Sequence, residues 1–251
     1  MDTLPNIADD KKVILITGAS RGIGAFTAVL LAQRGHKVII NYVNNDTEAK
    51  QIVAQIEAFG GVASYFKADV SKSEDVTALF DYAIQNYGKV DVLINNAGVM
   101  CFKKIEALDD ATIERVLAIN LKGSLYTMRE AAKRLAHGGK IINLSSSVIG
   151  MKLEGYGIYT ASKAAIESLT AILAKELRGK KITVNAIAPG PTATELFFEG
   201  KSDELIAQLS KATPLERLGK VEDIAAVIEF AVSHQSDWIN AQVIRVNGGI
   251  V

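Results

Sequence analysis

The chain has 251 residues, enough for one full-sized core, and its 28 Lys and Arg balance 28 Asp and Glu, so bulk charge favours neither a nucleic acid nor an anionic membrane as partner. At 49% hydrophobic and 22% charged residues it has the make-up of an ordinary globular domain, and its single cysteine, Cys101, excludes an intrachain disulfide and every multi-cysteine zinc pattern. Apolar runs are short and the first twelve residues lack a signal-peptide pattern, so a cytoplasmic protein without a metal or a membrane span is expected.

Residues 1–11 read as a flexible tail. Seven short β-branched runs follow, at 13–17, 37–41, 62–67, 90–95, 140–145, 181–186 and 242–246. Between them lie segments with apolar residues three and four apart, such as Phe26, Val29, Leu30 and Ala32 with Gly35 as a stop. This alternation predicts parallel strands joined by right-handed helical crossovers: a single-domain α/β, Rossmann-like three-layer sandwich with a seven-stranded parallel sheet. The longest break, 188–220, carries three of the four prolines, and residues 191–219 are read as a substrate loop.

Directly after the first run stands Thr17-Gly18-Ala19-Ser20-Arg21-Gly22-Ile23-Gly24, opening into a helix. Glycines there let the backbone approach a ligand closely, and a helix N-terminus attracts a pyrophosphate. The spacing differs from GxGxxG, so the loop gains weight from its place after the first strand. A carboxylate for an NAD ribose is expected at the end of the second strand, but Asn41-Tyr42-Val43-Asn44 stands there. With no acid to repel a 2′-phosphate, and with Arg21 in the loop to bind it, NADP(H) is the expected cofactor, with Asn41 and Asn44 beside it. Arg21 is otherwise a solvated loop charge.

Tyr159 and Lys163 are four apart on a helical segment and share one face. An ammonium beside a phenol lowers its pKa, which suits proton transfer to a developing alkoxide. Ser146, at the end of the fifth run, falls where ligands bind in doubly wound sheets, at the carboxyl ends of the strands. None of His36, His137 and His234 falls at such a strand end, so serine-hydrolase chemistry is disfavoured.

The loop from Thr17 to Gly24, Asp69-Val70, Asn95-Asn96-Ala97-Gly98, Asn120, Ser146, Tyr159-x-x-x-Lys163 and Pro189-Gly190-x-x-x-Thr194 together resemble the short-chain dehydrogenase/reductase family. Within it the chain is most similar to 3-oxoacyl-carrier-protein reductases and related NADP-dependent ketone reductases. The resemblance implies hydride transfer between NADP(H) and a ketone or secondary alcohol. Tyr159 would be the general acid, with Lys163 lowering its pKa and binding the nicotinamide ribose. Ser146 would hold the carbonyl, and Asn120 would interrupt a helix and position the water of a proton relay. Asp69 and Val70 would meet the adenine, with Asp69 alternatively a helix cap; Asn96, Ala97 and Gly98 would line the adenosine side. Pro189, Gly190, Thr192 and Thr194 would seat the nicotinamide carboxamide. Family members commonly form homotetramers through the helix that carries Tyr159 and through the C-terminal strand, and the apolar 238–251 segment is consistent with such an interface.

Val99, Met100, Val148, Leu153, Tyr156 and residues 195–200, with Leu196, Phe197 and Phe198, are expected to wall the substrate side. Phe197 and Phe198 are alternatively core residues. Such a wall suits a 3-oxoacyl thioester or another hydrophobic ketone. Arg134, Lys140, Arg178, Lys180 and Lys181 offer a basic rim for an acidic carrier protein, or are a solvated face. A sensor that binds nucleotide without turnover is the alternative function on this fold. Sugar epimerases and dehydratases share the Tyr and Lys pair but need a further substrate domain.

Overall fold

All seven β-branched runs form strands in the computed structural model, which describes residues 11–251. The expected N-terminal tail, apart from Lys11, lies outside the described residues. The strands are β1 (Val13–Ile16), β2 (Lys37–Tyr42), β3 (Val62–Lys67), β4 (Val92–Asn95), β5 (Lys140–Leu144), β6 (Thr183–Pro189) and β7 (Val243–Val246). They pair in parallel in the order β3-β2-β1-β4-β5-β6-β7. The helices are α1 (Gly22–Gln33), α2 (Asp46–Ala58), α3 (Ser73–Tyr87), α4 (Asp110–Val116), α5 (Ser124–Arg134), α6 (Val148–Met151), α7 (Gly157–Glu176), α8 (Glu195–Phe198), α9 (Asp203–Ala212) and α10 (Val221–Val232).

Strands β1, β4 and β5 are buried along their whole length, as largely apolar central strands are when helices cover both faces. Successive side chains of β1 alternate between the two layers. Ile14 and Ile16 join Ala28, Leu31, Val53 and Ile228 on one face, while Val13 and Leu15 join Leu79, Phe80, Met128 and Leu173 on the other. The chain moves outward from β1 to β3, then returns to β4 on the other side of β1. That reversal opens a crevice at the carboxyl ends of β1 and β4, where ligands of doubly wound sheets bind.

A buried polar chain ties the centre of the sheet to its helices. Thr127 Oγ1 donates to Asn95 Oδ1 (2.6 Å), Asn95 Nδ2 to Asn143 Oδ1 (2.9 Å), and Asn143 Nδ2 to Thr170 Oγ1 (2.9 Å). Each group is buried and satisfied, which fixes α5, β4, β5 and α7 relative to one another just below the crevice.

The 188–220 break is more ordered than its prolines suggest. β6 continues to Pro189, and the excursion carries α8 and α9, each opened by a side-chain cap: Thr194 accepts from Phe197 N and Ser202 from Leu205 N. Its ends are pinned together, with Gly219 N donating to Pro191 O (2.8 Å) and Ala193 N to Gly219 O (2.9 Å). At the other end of the chain, β7 is an edge strand that is only partly buried, and Trp238 just before it is 99% exposed. Among the described residues no helix is long and apolar enough to cross a membrane, and no cluster of three or more metal-ligating side chains exists.

Candidate active site

The glycine loop is held from below by polar side chains. Thr17 Oγ1 accepts from Asn96 N and Ala97 N (3.0 Å each), and Asn96 Nδ2 donates to Thr17 O (2.9 Å) and Gly18 O (2.8 Å). Two of the three glycines answer to this packing. A Cβ at Gly18, whose φ is +61°, would lie 2.8 Å from Ala97 Cα, and one at Gly24 would lie 2.5 Å from Asn96 Nδ2 and 2.9 Å from Ala19 Cα. Gly24→Ala is therefore expected to destabilise the fold by about 1–3 kcal/mol, the usual cost of overpacking. Thermal melting checks this, and an unchanged midpoint would show that the loop yields without loss.

Helix α1 starts at this loop with no side-chain cap from Arg21 and no acidic residue in its first turn. By contrast α2, α4 and α9 are capped by Asn45, Asp109 and Ser202. The α1 N–H groups and the positive end of its dipole are thus open to an anion. Ser20 is half-buried beside them and Ile23 lines the adjoining cavity. Arg21 reaches across the crevice, and its Nη1 meets Glu195 Oε2 of α8 at 2.9 Å with both side chains exposed.

Asn41 departs from the sequence expectation. It is 1% exposed; its Oδ1 accepts from Gly18 N (3.2 Å), and its Nδ2 faces the carbonyls of Ala68 (2.9 Å), Tyr42 (3.3 Å) and Phe66 (3.4 Å). Asn41 therefore braces the loop from beneath instead of presenting its amide to a ligand. Asn44 is exposed on the turn after β2. The carboxylate that follows, Asp46, is engaged by Lys50 and the Tyr42 hydroxyl. Asp69 caps no helix: its Oδ1 accepts from Ser71 N (3.0 Å) and Ser71 Oγ (2.7 Å), forming a local turn. Val70 is buried, and its Cγ2 would lie 3.0 Å from a Cβ at Gly123.

Ser146, Tyr159, Lys163, Asn96, Gly98, Pro189, Gly190, Thr192 and Thr194 line one cavity at the carboxyl edge of the sheet. Ser146 lines the cavity beside Tyr159, and its Oγ accepts from Val148 N (3.3 Å). Lys163, 6% exposed, donates to Leu144 O at 2.7 Å, and its Nζ lies 5.8 Å from the centre of the Tyr159 ring. The expected lowering of the phenol is reversed here. Burial pushes Tyr159 up to about 12, outweighing the opposing influence of Ser146, and burial pulls Lys163 down to about 8.

Asn120 does interrupt a helix: residues Leu117–Gly123 adopt π geometry between α4 and α5. Its buried amide clamps Val99, with Oδ1 accepting from Val99 N and Nδ2 donating to Val99 O (2.9 Å each), and Nδ2 also reaches Ser162 Oγ at 3.1 Å. Gly98 separates it from the lysine, since a Cβ there would lie 3.4 Å from Asn120 Oδ1 and 3.6 Å from Lys163 Nζ. The Asn120 side chain is thus a brace for the segment after β4. On the lid side, Thr192 Oγ1 donates to Gly190 O (2.9 Å) and Thr194 caps α8.

Comparison with known proteins shows which family the chain resembles along nearly its whole length. The family model described as "Enoyl-(Acyl carrier protein) reductase" matches residues 18–251. A "Short-chain type dehydrogenase/reductase" of Picea abies is 45% identical over 250 residues, covering 96% of this chain and 92% of that protein. The chain belongs to the short-chain dehydrogenase/reductase family. An "NADPH-dependent aldehyde reductase-like protein, chloroplastic" of Arabidopsis thaliana is 38% identical, covering 96% of this chain and 94% of that protein. Among solved structures, a putative dehydrogenase from Burkholderia cenocepacia with bound NADP superposes with a TM-score of 0.93 at 32% identity, covering 96% of this chain and 94% of that one.

In this member of the family the cavity wall includes Met100, Val148, Leu153, Tyr156, Leu196 and Phe197, all expected from sequence, together with Met151 and Leu209, which were not. Leu209 is the buried residue of α9, a helix hidden within the apparent break. Val99 is instead held by Asn120, and Phe198 is 43% exposed, packed edge-on against Phe197. The basic rim is not at the mouth. Lys140 opens β5, Arg178, Lys180 and Lys181 precede β6, and Arg134 ends the helix leading to β5, so all five sit toward the amino edge of the sheet. Arg134 pairs there with Asp81 and Glu130, and buried Lys140 with Asp237. His36, His137 and His234 likewise precede β2, β5 and β7.

Proposed function

We propose that the protein is an NADP(H)-dependent carbonyl reductase acting on hydrophobic ketones. The observation that carries this reading is that Ser146, Tyr159 and Lys163 line one cavity at the carboxyl edge of the sheet. A phenol held near 12 stays protonated at neutral pH, the state needed to donate to a carbonyl oxygen during reduction. Ser146 orients that carbonyl by a second hydrogen bond, and the apolar wall excludes water and sets the approach of the substrate.

The residues fit a dinucleotide. The uncapped start of α1 and Gly22, whose backbone is left-handed (φ +59°) and where a Cβ would touch Thr194 Cγ2 at 3.8 Å, would take the pyrophosphate. Asp69, Val70, Ala97 and Gly98 would line the adenosine side, and Lys163, Pro189, Gly190, Thr192 and Thr194 the nicotinamide side. NADPH, when bound, supplies the hydride. Arg21, with Ser20 and Asn44, would hold the 2′-phosphate after leaving Glu195, and no carboxylate ends β2 to repel it. The relatives named for NADPH and bound NADP support this choice.

The wall also accommodates the acyl chain of a 3-oxoacyl thioester, although the basic residues offered for a carrier protein lie at the other edge of the sheet. The partly buried edge strand β7, Trp238, and exposed Leu125 and Ile172 on α5 and α7 support a homotetramer. The buried free thiol of Cys101 suits a reducing compartment such as the cytoplasm.

The test is oxidation of NADPH and NADH in parallel against aryl ketones, α-diketones, ketosugars and an acetoacetyl thioester. NADPH-dependent turnover is expected, and Arg21→Ala should raise the KM for NADPH at least tenfold while changing that for NADH little. A wild-type preference for NADH would overturn the assignment of Arg21.

A further inference from the structure

Lys201, on the turn between α8 and α9, places an ammonium group against the substrate wall. Its Nζ donates to Phe197 O (2.5 Å) and lies 3.9 Å from Met100 Sδ, 4.8 Å from the centre of the Phe197 ring and 5.8 Å from that of Tyr156. Met100, Phe197 and Tyr156 all line the cavity that holds the Tyr159 hydroxyl. An ammonium has three N–H donors; here one carbonyl takes one of them, and a thioether and two ring faces surround the rest. Among the described residues no carboxylate lies within ion-pair distance of Lys201. Burial accordingly lowers its pKa, with Glu199 a weaker opposing influence.

A partly desolvated cation between aromatic faces is strongly attracted to an oxyanion, and it gains most from one that arrives on an apolar body able to fill the same wall. We propose that Lys201 is a specificity residue that binds an oxyanion, a carboxylate or a phenolate, carried on the apolar or aromatic body of the ketone away from the reacting carbonyl. This rests on the reductase reading and narrows its substrate class. The merely structural role is that Lys201 anchors the lid through the Phe197 carbonyl, which would affect charged and neutral ketones alike.

The experiment compares 4-acetylbenzoate with its neutral methyl ester, and adds 4-hydroxyacetophenone above its phenol pKa, in the wild type, Lys201→Met and Lys201→Arg. The wild type is expected to favour at least one of the anionic ketones in kcat/KM over the ester. The ratio of anionic to neutral kcat/KM should fall at least tenfold in Lys201→Met and be partly kept in Lys201→Arg. Which anion is favoured identifies a carboxylate or a phenolate as the natural group. Calorimetric binding of the same ketones to the NADP⁺ complex gives a second readout, and the anionic preference there should also depend on Lys201. Equal ratios in wild type and Lys201→Met overturn the inference while turnover of the ester leaves the reductase reading intact. Should no ketone turn over, the reductase reading fails, and the calorimetric ratio alone decides whether Lys201 binds an oxyanion.

Discussion

Tyr159→Phe is expected to lower kcat/KM for ketone reduction by roughly 10²–10⁴-fold, the usual contribution of a positioned general acid, with NADPH affinity nearly unchanged. The substitution removes one hydroxyl and leaves the ring in place. Ser146 retains Val148 N as a partner, so no buried polar group is stranded and the fold should survive. Holding the ketone against the cofactor can contribute roughly 7–11 kcal/mol by orientation alone, so residual turnover above background is compatible with the assignment. Steady-state kinetics with NADPH titrated by fluorescence checks both halves. Activity within a few-fold of wild type would remove Tyr159 from the proton-transfer step.

Lys163→Met should abolish most turnover and also change the pH dependence of stability. Burial lowers the lysine from 10.5 to about 8, so the unfolded chain binds more protons than the folded one between those values. Wild-type stability therefore rises as pH climbs through about 8 towards 10.5. Below that window the buried ammonium costs about 3 kcal/mol, taking about 1.4 kcal/mol for each pH unit that separates the folded and unfolded values. The methionine has no such cost, although it leaves Leu144 O without its donor, an offset of about 1–3 kcal/mol. The stability of the variant relative to wild type should thus be greatest near pH 7 and decline by about 3 kcal/mol by pH 10.5. Denaturant unfolding at the two pH values tests this, and a difference independent of pH would mean that the ammonium is not desolvated. A functional residue kept at a cost to stability is the usual pattern of active sites.

The seven strands were legible because each is a short β-branched run, and the sandwich follows because parallel strands need helical crossovers. The lid was half legible. Its prolines marked the excursion and hid α9 within it, although Ser202 followed by Asp203 and Glu204 signalled a helix start and Leu205, Ile206 and Leu209 stand at helical spacing. Asn41 misleads because its place at the end of β2 suggests a ligand, whereas only the folded chain brings Gly18 N and three carbonyls around its amide. The phenol misleads for a related reason. Spacing shows that Lys163 is one turn from Tyr159, yet whether the phenol moves up or down depends on burial. The amino-edge position of the basic residues, by contrast, was already available from strand direction, since Lys140 and Lys181 stand at the starts of their runs. Lys201 sits in the polar stretch Gly200-Lys201-Ser202-Asp203-Glu204, which reads as solvated until α8 folds Phe197 over it.

Hydride transfer is tested most directly by following deuterium from NADPH labelled at both C4 positions to a ketone that the protein accepts. The expected product is an alcohol one mass unit heavier, with the label on the carbinol carbon and the transfer lost in Tyr159→Phe. Tight NADPH binding with no label transferred to any ketone would contradict a reductase and leave a nucleotide sensor in its place.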